Sequence, residues 1–197
     1  MAQTITPVAS AARQPDPAME ELLQSVVDTA RAIFGAQASS ILLLEAAADE
    51  LVFEAVSGQG QDFLVGRRFP AGRGIAGWVA ASGEPMVVDD LHDSASFDRD
   101  IAESTGYVPN ALMAAPLIHG NQVLGVLEVL DPTPQARFSL TELDLLCLFA
   151  RQAAVALYVL TTHARPRPTP HPPAAPDDPS RTELLRLLSE ARRLLGE

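Results

Sequence analysis

The chain has 197 residues, enough for one domain with tails; 47% are hydrophobic and only 5% aromatic, so its core must be mostly Leu, Val, Ala and Ile. The net charge of −11 is uneven: residues 17–163 carry 19 acids against 7 arginines, while residues 164–197 carry 6 arginines against 5 acids. An acidic main domain repels phosphate backbones, which argues against nucleic-acid binding, and the single cysteine, Cys147, excludes an internal disulfide and a cysteine zinc site.

Residues 1–16 lack periodicity and read as a disordered tail. Pro17 opens a helix whose apolar positions, Met19, Leu22, Leu23, Val26, Val27, Ala30, Ile33 and Phe34, recur at helical spacing until Gly35 stops it. Ser39–Glu45 reads as a buried strand. In Leu51–Ser57, alternation sets Leu51, Phe53 and Ala55 on one face and Val52, Glu54 and Val56 on the other. The connection Ala46–Glu50 suits a hairpin, and Phe63–Phe69 is a candidate short strand.

Gly72 and Gly74 flank a tight turn before a short helix, Ile75 to Ser82, that ends at Gly83. Met86–Val88 is a short strand. An acidic connector follows, with Asp89, Asp90, Asp93, Asp98, Asp100 and Glu103 and a predicted helix over Phe97–Thr105. The acids do not follow calcium-loop spacing and read as a solvated face, so no metal is expected. Ala111–Ile118 and Gln122–Leu130 form a hairpin around His119-Gly120-Asn121, with Pro116 marking a bulge or an edge. Glu128 is a carboxylate inside an apolar strand; it must face a pocket or solvent, or be paired.

Ser139 and Glu142 form a capping box, with Phe138 and Leu143 as its hydrophobic staple, for a helix running to about Thr162. Cys147 falls in this helix as a small buried hydrophobe. Residues 164–179 are a proline-rich, semi-stiff linker. A second capping box, Ser180 and Glu183, starts a helix over 180–196 whose apolar face carries Leu184, Leu187, Leu188, Ala191, Leu194 and Leu195. Such a helix is marginal alone, so it is expected to dock, on a partner protein in trans or back on its own domain. Arg186, Arg192 and Arg193 suit an acidic surface; Glu183, Glu190 and the lack of an aromatic anchor disfavour a membrane surface. No run of 18 apolar residues and no secretory leader is visible, so no membrane span is expected and a cytoplasmic location is predicted.

The order Gly72-x-Gly74-Ile75-Ala76-Gly77-Trp78-Val79, then Pro85 to Asp90, Pro116-Leu117 and Gly125-Val126-Leu127, resembles a GAF domain over residues 17–163. That resemblance implies an α+β fold: a central antiparallel sheet of five to six strands, N- and C-terminal helices on one face, and short helices and loops over a pocket on the other. It implies a pocket lined by Trp78, Val88, Leu91, Phe97, Tyr107, Met113, Ala115 and Glu128, with the acidic connector as its lid. Departures from the family narrow the expectation. The Asn-Lys-x-x-x-Phe-x-Asp-Glu signature of cyclic-nucleotide GAF domains is absent, and the chain has no lysine. No cysteine in the connector can hold a bilin. The free methionine sulfoxide reductase branch uses several pocket cysteines. His92 and His119 are poor haem ligands and read as exposed. No nucleophile elbow, Walker loop or dinucleotide fingerprint appears.

The sequence therefore predicts a non-enzymatic sensory or regulatory domain with no resident cofactor. It would bind an unidentified small molecule, dimerise through the helices at about 17–35 and 139–162, and signal in trans. A scaffold with a degenerate pocket and a partner-docking tail is the alternative, and a methionine sulfoxide reductase-like enzyme a lesser one.

Overall fold

The computed structural model describes residues 16–91, 97–133 and 140–163. The expectations for the N-terminal tail, His92 and Asp93, the Phe138–Ser139 cap, the linker and the C-terminal helix lie outside those residues.

The chain opens with helix α1 (Pro17–Phe34). Asp16 caps it by accepting from the Ala18 amide at 3.0 Å, Pro17 occupies the first turn, where its missing N–H costs nothing, and Gly35 closes it in the left-handed conformation. Strands β1 (Ala38–Glu45) and β2 (Glu50–Gly58) follow as a hairpin. In place of a strand over Phe63–Phe69 stand a single helical turn, α2 (Gln61–Leu64), and a three-residue strand, β3 (Arg68–Pro70). Next come α3 (Gly74–Ser82), β4 (Met86–Val88), α4 (Arg99–Ser104), the hairpin β5 (Leu112–His119) and β6 (Gln122–Leu130), and α5 (Leu140–His163).

The six strands form one antiparallel sheet in the order β3-β2-β1-β6-β5-β4, so the fold is α+β. Two apolar clusters share the sheet. On one face, Leu23, Val27, Ala30 and Phe34 of α1 and Leu146, Ala150, Ala153, Ala154 and Leu157 of α5 pack against Ile41, Met113, Ala115, Leu117, Leu127 and Val129. On the other, Ile75, Val79 and Ala80 of α3 pack against Leu42, Leu51, Phe53, Val56, Leu112, Ala114 and Val126.

Two details depart from simple strand alternation. The register shifts between Ile41↔Ala55 and Leu42↔Phe53, which makes Glu54 the inserted residue of a β-bulge. Past the bulge the faces exchange: Ala55 joins the helix-side cluster, against the sequence expectation, and Val56 joins the opposite one with Leu51 and Phe53. At Pro116, β5 is already beyond the reach of β4, which pairs only with Leu112–Ala114, so the proline sits where the strand has no outer neighbour.

By length and composition alone, Glu142–Thr162 of α5 is long and apolar enough to cross a membrane. Its inner face is buried on the sheet of this domain.

Candidate functional site

Beneath α3 and α4, on the sheet face away from α1 and α5, lies a cavity of about 110 Å³. The sheet supplies Ser40, Leu42, Leu51, Phe53, Val56 and Glu128; α3, α4 and the segments around them supply Arg73, Ile75, Phe97, Asp98, Ala102 and Tyr107. The volume holds several waters or a small organic molecule, and the wall is mostly aliphatic and aromatic, as in ligand sites generally.

Two glycines make the roof possible. Gly74 starts α3 with φ +68°, which a side chain would strain. At Gly77 a Cβ would lie 2.4 Å from the Ala71 carbonyl oxygen, so only glycine lets α3 sit this close to the preceding turn.

The segment 97–110 is fastened over the cavity at both ends. Arg73 Nε pairs with Asp98 Oδ2 at 2.6 Å; Arg73 is half exposed, which puts the pair at the rim. Arg67 donates to the Ser104 carbonyl at 2.6 Å. The Leu91 amide donates to the Asn110 carbonyl at 2.8 Å. Tyr107 donates its hydroxyl to Asp131, whose other carboxylate oxygen accepts from the Asn110 and Ala111 amides at 2.9 Å each. Burial, followed by the bond to Asp131, holds the Tyr107 phenol well above its ordinary range.

Glu128 is the chemical centre of the cavity. It is 8% exposed, and among the described residues its hydrogen-bond partner is Ser40, whose hydroxyl donates to Oε2 at 3.4 Å. Loss of water around the carboxylate pushes its pKa up to about 7, and the Ser40 bond pulls weakly the other way. At neutral pH the group is therefore poised between donor and acceptor.

Three of the eight residues expected at the pocket do line it: Phe97, Tyr107 and Glu128. Leu91 is fully buried in the roof-side cluster and Val88 packs against that cluster, but neither reaches the cavity wall. Trp78 is 42% exposed on the outer side of α3. Met113 and Ala115 belong to the opposite face, packed beneath the long helices. The cause is strand parity. Glu128 pairs with Ala114, while Met113 and Ala115 pair with Val129 and Leu127, and paired residues share a face. Every residue from Ala111 to Ala115 is apolar, so no alternation in that run marks the inner face.

Sequence reasoning missed Ser40, Phe53 and the Arg73–Asp98 pair. Ser40 carried a signal: with Ser39 it is a hydroxyl next to the aliphatic run Ile41–Leu44, as Glu128 is a carboxyl amid Val126, Leu127, Val129 and Leu130. Cys147 is half-buried on α5, on the far side of the sheet, and burial raises its thiol pKa; no other cysteine exists to serve the cavity.

These features define a class of domain: an antiparallel sheet that carries two long helices on one face and roofs an apolar, carboxyl-bearing cavity on the other. The sequence model of the GAF domain family matches residues 18–157, and the chain belongs to that family. The GAF domain of a phosphoenolpyruvate-protein phosphotransferase from Coxiella burnetii superposes with a TM-score of 0.68 at 21% identity, covering 76% of this chain and 88% of that one. The free methionine-R-sulfoxide reductase of Neisseria meningitidis, in complex with its substrate, gives a TM-score of 0.60 at 21% identity over 78% and 84%. At these identities the likeness is one of fold. Among curated proteins, the probable 3′,5′-cyclic phosphodiesterase pde-5 of Caenorhabditis elegans is 23% identical over 149 residues, 71% of this chain. The chain spans 20% of that relative's length. GAF domains are small-molecule-binding regulatory or sensory domains, and the family also includes enzymes.

Proposed function

We propose that this domain is a non-enzymatic sensor that takes a small molecule into the Glu128 cavity and passes its occupancy to α1 and α5. The observation that carries the reading is the cavity itself: a roofed, apolar space with one buried carboxyl and a fastened lid. A merely structural core would be stabler with Glu128 replaced by an apolar residue.

A non-enzymatic role is favoured because the cavity has no thiol within reach and, among the described residues, no cluster of three His, Cys, Asp or Glu groups suited to a metal. Cyclic nucleotides are disfavoured as ligands although the relatives include cyclic phosphodiesterases. Their phosphate would need a free cation, and Arg73, the one cation on the described wall, already serves Asp98.

A route for the signal runs through hydrogen bonds. Tyr107 of the lid holds Asp131; two residues on, the Thr133 amide donates to the Phe34 carbonyl at the end of α1 at 3.1 Å. Dimerisation through the terminal helices belongs to the same proposal. Leu148, Val155, Tyr158 and Val159 form one exposed apolar stripe on α5 at i, i+7, i+10 and i+11 spacing, and Ile33 is exposed on α1. Partner signalling through the C-terminal leucines and residence in the cytoplasm complete the reading.

The test is native mass spectrometry of the full chain purified from its own host. A small molecule retained at unit stoichiometry supports sensing. A bare chain in every preparation, with no binder in a metabolite screen, leaves the scaffold reading in its place.

A further inference from the structure

The chemistry of the cavity wall specifies its occupant further, and this inference rests on reading the cavity as a small-molecule site. Among the described residues four charged or titratable side chains reach that wall: Glu128 from β6, Arg73 ahead of α3, Asp98 ahead of α4, and Tyr107 after α4. Arg73 and Asp98 are paired with each other, and Tyr107 is bonded to Asp131. Glu128 lines the same wall as Leu42, Val56, Leu112 and Leu130, is buried, and among the described residues takes a single long bond from Ser40.

A carboxylate can accept about four hydrogen bonds, so Glu128 keeps most of its capacity for a ligand. Once Glu128 is ionised an anionic ligand would meet a carboxylate, and the only wall cation among the described residues is already engaged. A wholly apolar ligand would leave Glu128 as desolvated as before and gain nothing from it. A protonated amine supplies both charge and donors, and a hydrogen bond between two ionised groups against a mostly apolar wall is the strong kind. The domain's excess of acids, 19 against 7 arginines over residues 17–163, favours approach of a cation.

We propose that the cavity takes a small, mainly apolar molecule bearing a protonated amine, with Glu128 accepting from that amine and the Ser40 hydroxyl holding the carboxylate in position. A pH signature follows. Burial pushes the empty-site carboxyl up to about 7, so amine binding below that pH must expel a proton. Amine affinity then falls about tenfold for each pH unit below about 7.

The experiment uses the full chain, labelled with ¹⁵N, titrated with three probes of one shape: 3-methylbutylamine, 3-methylbutanol and 3-methylbutanoate. Backbone amide shifts of Ser40, Leu42, Glu128 and Leu130 report cavity binding. The expected result is that the amine binds at least tenfold tighter than either isostere at pH 8. That preference, and its pH dependence, disappear in Glu128→Gln, an isosteric variant whose folding is checked by thermal unfolding. If the alcohol or the acid binds at the same amides as tightly as the amine, the amine assignment is overturned while the small-molecule reading stands. The same holds if Glu128→Gln leaves amine affinity and its pH profile unchanged. If none of the three moves those amides, the amine assignment is overturned, and the small-molecule reading is decided by the native mass spectrometry.

Discussion

At Glu128 the folded chain holds its proton more tightly than the unfolded chain, because burial disfavours the carboxylate and Ser40 offsets only part of that cost. A carboxyl raised in the folded state stabilises the fold fully below its unfolded value. That contribution is lost as pH rises through about 7. The empty domain is therefore expected to lose on the order of 3 kcal/mol of stability between pH 4.5 and pH 8 from this one group. Glu128→Gln removes the dependence and should unfold at higher urea than the parent at pH 8. Urea titrations of both proteins at pH 5 and pH 8 check this; curves that stay parallel at the two pH values would refute it. Gly77 is the second residue with a definite expectation. A methyl group there would collide with the Ala71 carbonyl, a backbone atom that cannot swing aside, so α3 would have to lift. Gly77→Ala should cost about 1–3 kcal/mol, readable as a lowered melting temperature. An unchanged melting temperature would mean α3 has freedom that the geometry denies it.

Among the elements, the lid 97–110 depends on Asp131. Its carboxylate takes two backbone amides and the Tyr107 hydroxyl, and its own backbone adopts φ +46° to do so. Asp131→Ala leaves the part-buried Ala111 amide without its acceptor, while water can replace the exposed bond from the Asn110 amide, and is expected to cost about 1–3 kcal/mol. It should also speed hydrogen exchange across 97–110, whereas Tyr107→Phe, which leaves both amides satisfied, should do much less. Much of this level was legible in the sequence. The Pro17 start, the Gly35 and Gly83 stops and the β5–β6 hairpin all follow from local chemistry that the structure uses as written. What was not legible arises between elements. The bulge at Glu54 is set by pairing with β1, so the clean alternation of Leu51–Ser57 pointed Ala55 to the wrong face. The parity of β5 is fixed by register with β6, so Met113 and Ala115 were expected at the cavity in place of Leu112. The polar residues that do mark the site, Ser40 and Glu128, stand on adjacent strands as directly paired residues, a juxtaposition no local pattern encodes.

At the scale of the whole molecule, the sheet carries the cavity on one face and the two long helices on the other. The exposed stripe Leu148, Val155, Tyr158 and Val159 is expected to pair with its copy, because apolar side chains exposed at this spacing along one helix gain by mutual burial. Leu148→Glu combined with Val155→Glu should convert a dimer to a monomer in sedimentation equilibrium at tens of micromolar; a parent protein that is already monomeric there would contradict the dimer. Transmission of cavity occupancy to the helices can be tested without knowing the ligand. Ala102→Phe places a ring from α4 into the cavity and mimics an occupant. Hydrogen–deuterium exchange of this variant against the parent should show slower exchange in 97–110 and altered exchange in α1 and α5, which touch the sheet only from its far side. Protection confined to the cavity wall, with both long helices unchanged, would contradict the claim.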